Sequence, residues 1–150
     1  MVERFLSQTS FVSQEDYRKN LHIRVPENFN FGYDVIDRWA EKDRNKLAMI
    51  WRNQHGEEKH FTFHDLSRLS NQAANLLIKH GISKGDRVFL MLPRLPEWWI
   101  FSIALIKLGA IQCPSPTLLT PHDLEFRVKF GKFKICLLYT SPSPRDPKTS

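Results

Sequence analysis

Two phrases about 45 residues apart each mark a join between strand and helix: Phe-Thr-Phe-His-Asp-Leu at 61–66 and Ile-Lys-Leu-Gly-Ala-Ile-Gln-Cys-Pro at 106–114. In the first, Thr62 is placed to cap the following helix, and Asp65 three residues on completes a capping-box pattern. In the second, a helix ends near Leu108, Gly109 relaxes the turn, and Ala110 to Cys113 reads as a short buried strand. Between them, Leu66, Leu69, Ala73, Leu76 and Leu77 fall at helical spacing up to Gly81. Val88 to Leu92 is then an unbroken apolar run of the kind buried on both faces of a parallel sheet. Such joints are common in α/β proteins. They predict an α/β fold whose largely parallel sheet is flanked by helices.

The rest of the chain extends this rhythm. Residues 1–27 form a polar lead-in closed by Pro26. Phe29, Phe31 and Tyr33 precede a helix with Val35, Ile36 and Trp39 on one apolar face. Leu47–Trp51 and Lys59–Phe63 read as the strands of a hairpin turning at 54–57, so the sheet is expected to be mixed where it begins. Pro93 ends the apolar strand, and Pro96 and Glu97 suit the first turn of a helix running to Leu108. Thr120-Pro-His-Asp123 repeats the start signal of cap, N1 proline and acidic third position. Phe126, Phe130 and Phe133, spaced four and three apart, are expected on the buried face of that helix, and Phe133 to Ile135 at the start of another strand.

Composition narrows the function classes. The chain has 150 residues, 41% hydrophobic and 25% charged, an ordinary globular balance with length for one real core. The net charge of +6 is scattered. Its densest group, Arg127, Lys129, Lys132 and Lys134, lies on a predicted helix and forms no nucleic-acid module. The longest apolar stretch, Trp98–Ile106, is far short of a membrane span, and the first 20 residues lack the apolar segment of a secretory signal. Cys113 and Cys136 make neither a disulfide framework nor a metal pair, which suits a reducing cytoplasm.

No residue is assigned a catalytic, cofactor-binding or metal-binding role. His55 lies in a turn, His60 on the hairpin, His64 in a first helical turn and His80 near a helix end, with no ligand spacing among them. Asp34 and Asp37 share a helix with Arg38 and Lys42, the pattern of a solvated face. Trp98 and Trp99 are expected to pack rather than stack on a substrate. A dinucleotide-binding oxidoreductase domain would carry its glycine fingerprint after the first parallel strand, where Pro93-Arg-Leu-Pro96 stands instead. A non-catalytic interaction module is the other alternative.

Together with Asn28-Phe-Asn-Phe31 and Asp34-Val-Ile-Asp-Arg-Trp-Ala40, the two opening phrases resemble the N-terminal part of the adenylate-forming (AMP-binding) acyl-CoA synthetases, the acetate and medium-chain branch especially. The resemblance runs over roughly residues 20–134 and implies a partial N-terminal subdomain of that ligase fold at 28–135. For the full-length protein it implies ATP, Mg²⁺ and coenzyme A. A short- or medium-chain carboxylic acid would be activated as its acyl-adenylate with loss of pyrophosphate, then passed to the thiol of coenzyme A. The family's motifs for this chemistry all follow residue 135, so the 150 residues alone are expected to be inactive.

The tail at 136–150 has a different character. Cys136-Leu-Leu-Tyr-Thr-Ser-Pro-Ser-Pro-Arg-Asp146 resembles a transposase sequencing adapter translated in one frame, and the segment is read as non-native; a natural Ser/Pro-rich linker is the alternative. Tyr139 to Lys148 also has the length and ends of the family's phosphate loop, Tyr-Thr-Ser-Gly-Thr-Thr-Gly-x-Pro-Lys. Its interior fails. Pro142 and Pro144 each delete an N–H, and Arg145 replaces a glycine that would let the backbone approach a phosphate.

Overall fold

A computed structural model describes residues 2–139. Helix α1 (Gln14–Asn20) is capped by Ser13. A π-helical segment, Gly32–Asp37, then runs directly into α2 (Arg38–Lys42), burying Ile36 and Ala40 and half-burying Val35 and Trp39. Strands β1 (Leu47–Arg52) and β2 (Glu58–Thr62) form the hairpin, antiparallel with Ile50 opposite His60. The return strand stops at Thr62 because that residue caps α3 (Phe63–Lys79). Its hydroxyl accepts the Asp65 N–H while the Asp65 carboxylate accepts the Thr62 N–H. Both groups of the expected capping box are therefore paired.

The hairpin does not join the parallel sheet, which corrects the expectation of one mixed sheet; among the described residues β1 and β2 pair only with each other. They attach through side chains instead: Ala48, Met49 and Phe61 pack around a small core of Ile36, Leu66 and Ile103.

The parallel sheet has the order β4-β3-β5, with β3 at Arg87–Met91, β4 at Ile111–Pro114 and β5 at Ile135–Leu138. Val88, Phe89 and Leu90 in its centre are at most 1% exposed, as a strand covered on both faces should be. Helix α4 (Pro96–Leu108) connects β3 to β4, and Gly109 ends it in the left-handed region at φ 66°. Helix α5 (Pro121–Gly131), with a second complete capping box at Thr120 and Asp123, leads back across β3 to β5. The chain thus reverses its direction along the sheet, and right-handed crossovers then place α4 and α5 on opposite faces. Val88 packs with Ala73, Ala74 and Leu77 of α3 and Ala104 and Leu105 of α4. Phe89, pointing the other way, meets the ring of Phe133 at 5.0 Å.

Three expectations need correcting. Leu76 is 49% exposed, whereas Leu77 beside it is buried. Phe126 and Phe130 are exposed and lie against each other at 4.6 Å, because α5 buries no residue; only Phe133, beyond its end, reaches the sheet. The last strand begins at Ile135 rather than Phe133 and continues through Cys136, Leu137 and Leu138 in parallel register with Phe89, Leu90 and Met91. Those three residues belong to the adapter-like tail, and any apolar extended run can fill that edge. Thr140–Ser150, including most of the loop-like segment, lie outside the described residues.

Candidate functional site

A cleft of about 730 Å³ lies at the carboxyl ends of β3 and β4. Ligand sites of parallel sheets lie there, beside the point where strand order reverses. The turn after β3 supplies Leu92 to Leu95, and the loop after β4 supplies Pro116 to Leu118. Trp98 and Trp99 enter from the first turn of α4, and Trp51 comes from the hairpin. The Trp51 indole Nε1–H donates to the Arg94 carbonyl at 2.7 Å, tying the hairpin to the sheet across the cleft. Trp98 and Trp99 meet edge to face at 4.9 Å, and Trp99 keeps 55% of its surface exposed. Both tryptophans thus pack against each other and also wall the cleft.

Among the described residues, no His, Cys, Asp or Glu lines it, and beside the tryptophan indoles its polar side chains are Arg94 and Thr117. Arg94 has no ion-pair partner among the described residues. Aromatic walls beside one guanidinium suit an apolar group carrying a negative charge.

His55, His60, His64 and His80, four of the six histidines, form no ligand set among the described residues. His55 lies in the hairpin turn and His80 at the end of α3. His60 pairs with Glu58. His64 Nε2 lies 2.8 Å from the Arg44 guanidinium, and since arginine only donates, this nitrogen accepts and the ring proton sits on Nδ1. No group of three potential metal ligands occurs among the described residues. Asp86 has the most depressed carboxyl, held at about 2 by the Lys134 ammonium, then by the Ser83 hydroxyl and N–H. This fastens the start of β5 to the turn before β3 and is structural.

Asp34 and Asp37 of the π-helical segment are not a solvated face. Asp34 accepts the Asn30 N–H at 2.9 Å and pairs with Arg4 at 3.2 Å. Asp37 accepts from Lys107 Nζ at 2.7 Å, and that ammonium also donates to Asn71 Oδ1 at 2.7 Å. Lys107 is a polar residue that the sequence reading missed. Its signal was a lone cation in an otherwise uncharged helical stretch, three and four residues after the buried Ala104 and Ile103.

Comparison with known proteins agrees with this architecture. The profile of the family described as AMP-binding enzyme matches residues 36–149. The human mitochondrial acyl-coenzyme A synthetase ACSM3 is 35% identical over 135 residues, 86% of this chain and 23% of that protein. Human mitochondrial ACSM5 is 39% identical over 127 residues, 81% of this chain and 22% of that protein. The chain therefore spans less than a quarter of the curated relatives it matches. Among solved structures, an acyl-CoA synthetase of Brucella canis superposes with a TM-score of 0.66 at 30% identity, over 72% of this chain and 20% of that one. The N-terminal subdomain of Klebsiella oxytoca NpsA superposes with a TM-score of 0.62 at 21% identity, over 73% and 28%, a likeness of fold alone. The strand–helix joins at Thr62 and Gly109, the parallel sheet they build and a profile match over most of its length agree: this chain belongs to the AMP-binding enzyme family.

Proposed function

We propose that the chain is part of an ATP-dependent acyl-CoA ligase. That enzyme would activate a short- or medium-chain carboxylic acid as its acyl-adenylate, release pyrophosphate, and transfer the acyl group to coenzyme A. The observation that carries this reading is the 35% identity to an acyl-coenzyme A synthetase over 135 residues. The cleft at the carboxyl ends of β3 and β4 is the part of the binding surface this unit contributes. The described residues do not fit ATP with Mg²⁺. They hold no cluster of three metal ligands, and their positive-φ glycines, 56, 81, 85 and 109, serve a hairpin turn and the turns around helix ends rather than a phosphate cradle. The 150 residues alone are therefore inactive in this proposal.

The tail from Cys136 is proposed to be foreign to the gene. The family profile extends to 149, across this tail, and stands against that reading; the tail's Pro142, Pro144 and Arg145, where the family loop has other residues, support it. The proposed compartment is a reducing one, the cytoplasm suggested by the free thiol of Cys113, the one cysteine ahead of the proposed foreign tail, against the mitochondria in the relatives' names; cell fractionation separates the two.

The test is ATP-dependent pyrophosphate release with a panel of short and medium acids, on this chain and on the protein encoded by an independent read of the locus. No turnover above blank is expected from the chain, and coenzyme A-dependent turnover from the longer protein. Activity of the chain would overturn its proposed inertness, and an inactive longer protein would overturn the ligase reading. An independent read that reproduces Cys136 to Asp146 would overturn the foreign tail.

A further inference from the structure

Lys107 lies at the C-terminal end of α4 with its side chain 1% exposed. A buried ammonium is costly unless its hydrogen bonds are met. Here they come from two directions, Asp37 on the π-helical segment and Asn71 on α3, each at 2.7 Å. The Tyr33 ring lies 5.6 Å from the same ammonium, within reach of a cation–π contact. One residue earlier on α4, the Ile106 carbonyl accepts from Asn30 Nδ2 at 2.7 Å. Gly32 lies so close that a Cβ there would collide with Lys107 Cγ. The chain thus leaves no room for a side chain beside this lysine and surrounds its charge with three partners.

The segment also meets the first turn of α3, where Trp39 stacks on Phe63 at 5.8 Å, the Phe63 N–H donates to the Lys46 carbonyl at 3.0 Å and Arg44 lies 2.8 Å from His64. The hairpin buries no residue fully and shares no ladder with the parallel sheet. Its apolar anchor is the small core around Ile36, Leu66 and Ile103. At its far end, Trp51 reaches the cleft through its bond to the Arg94 carbonyl.

We propose that Lys107 is a latch that fastens residues 30–62, the π-helical segment, α2 and both strands of the hairpin, to α3 and α4 as one unit, able to open independently of the parallel sheet, and so positions Trp51 on the wall of the cleft. Lys107 is a positioning residue in this scheme and does not itself touch the cleft.

Amide hydrogen exchange on the full 150-residue chain tests this, together with exchange of the four tryptophan indole N–H groups followed by NMR. Lys107→Met keeps length and apolar bulk but removes the charge. Gly32→Ala keeps every charge and displaces the lysine stem, so the proposal stays testable if the first variant does not fold. In each, amide exchange over 32–62 should accelerate by about tenfold or more, while 73–77 in α3 and 87–91 in β3 keep their protection. The Trp51 indole should exchange faster, and those of Trp98 and Trp99 should not. Unchanged exchange over 32–62 would overturn the latch. Equal loss of protection in β3, or loss of structure throughout in Gly32→Ala, would show general destabilisation instead of an independent unit and would overturn it as well.

Discussion

Leu76 and Leu77 are neighbours of identical chemistry, and helical periodicity alone assigns both to the apolar face of α3. Leu77 is 1% exposed and enclosed by Ala74, Ile82, Val88, Ala104 and Leu105. Three of those neighbours, Val88, Ala104 and Leu105, have no exposed surface. They belong to elements pinned by the sheet and by helix packing, so a cavity at Leu77 can collapse only slightly. Leu77→Ala should then fall in the upper part of the range for such substitutions, about 3–5 kcal/mol. Leu76 already leaves 49% of its surface in water. Truncating it removes roughly half of a side-chain transfer term, about 1 kcal/mol or less. In a chain of this length, where 1 kcal/mol moves Tm by about 2–4 °C, Leu77→Ala should lower Tm by roughly 6–20 °C and Leu76→Ala by no more than about 4 °C. Urea unfolding followed by circular dichroism gives both values on one scale, provided the m-value is unchanged. Equal losses for the two leucines, or a cost below about 1 kcal/mol at Leu77, would refute the packing assignment of α3.

The Asp86 carboxyl, held at about 2 by Lys134 and Ser83, is favoured as the anion in the folded state. Its stabilising contribution is present above the ordinary value of 3.8 and is lost as pH falls through about 2. Lys134→Met should bring the side-chain midpoint, read by NMR, up toward 3.8, and a wild-type midpoint already near that value would contradict the assignment. Phe126 and Phe130 are 58% and 66% exposed, so replacing both with serine should leave stability within about 1 kcal/mol while reducing concentration-dependent association in sedimentation velocity. Association that does not change would show that this face is not the adhesive one.

Local physics made much of this protein legible before any fold was known. The boxes at Thr62–Asp65 and Thr120–Asp123 are closed by groups three residues apart, so the chain itself carries their geometry. Gly109 stands where only a left-handed residue ends the helix well, and the unbroken run at Val88 implies a strand covered on both faces. The family phrases rest on these same joins. Contacts between distant residues were decided elsewhere. Lys107 meets Asp37 and Asn71 across 70 and 36 residues of chain, so nothing local distinguishes this latch from a solvated lysine. The hairpin stands apart from the parallel sheet because packing on Ile36, Leu66 and Ile103 holds it, and periodicity cannot say which surface an apolar strand will meet. Phe126 and Phe130 carry the spacing of a buried face yet remain exposed, since burial needs an opposing surface and α5 has none among the described residues. The cleft, too, is tertiary: Trp51, Arg94, Trp98 and Pro116 come together only when the hairpin and the carboxyl ends of two parallel strands are brought to one place. A chain encodes its hydrogen-bonded turns within a few residues, but where its apolar faces and buried charges find partners is settled by the packing of the whole.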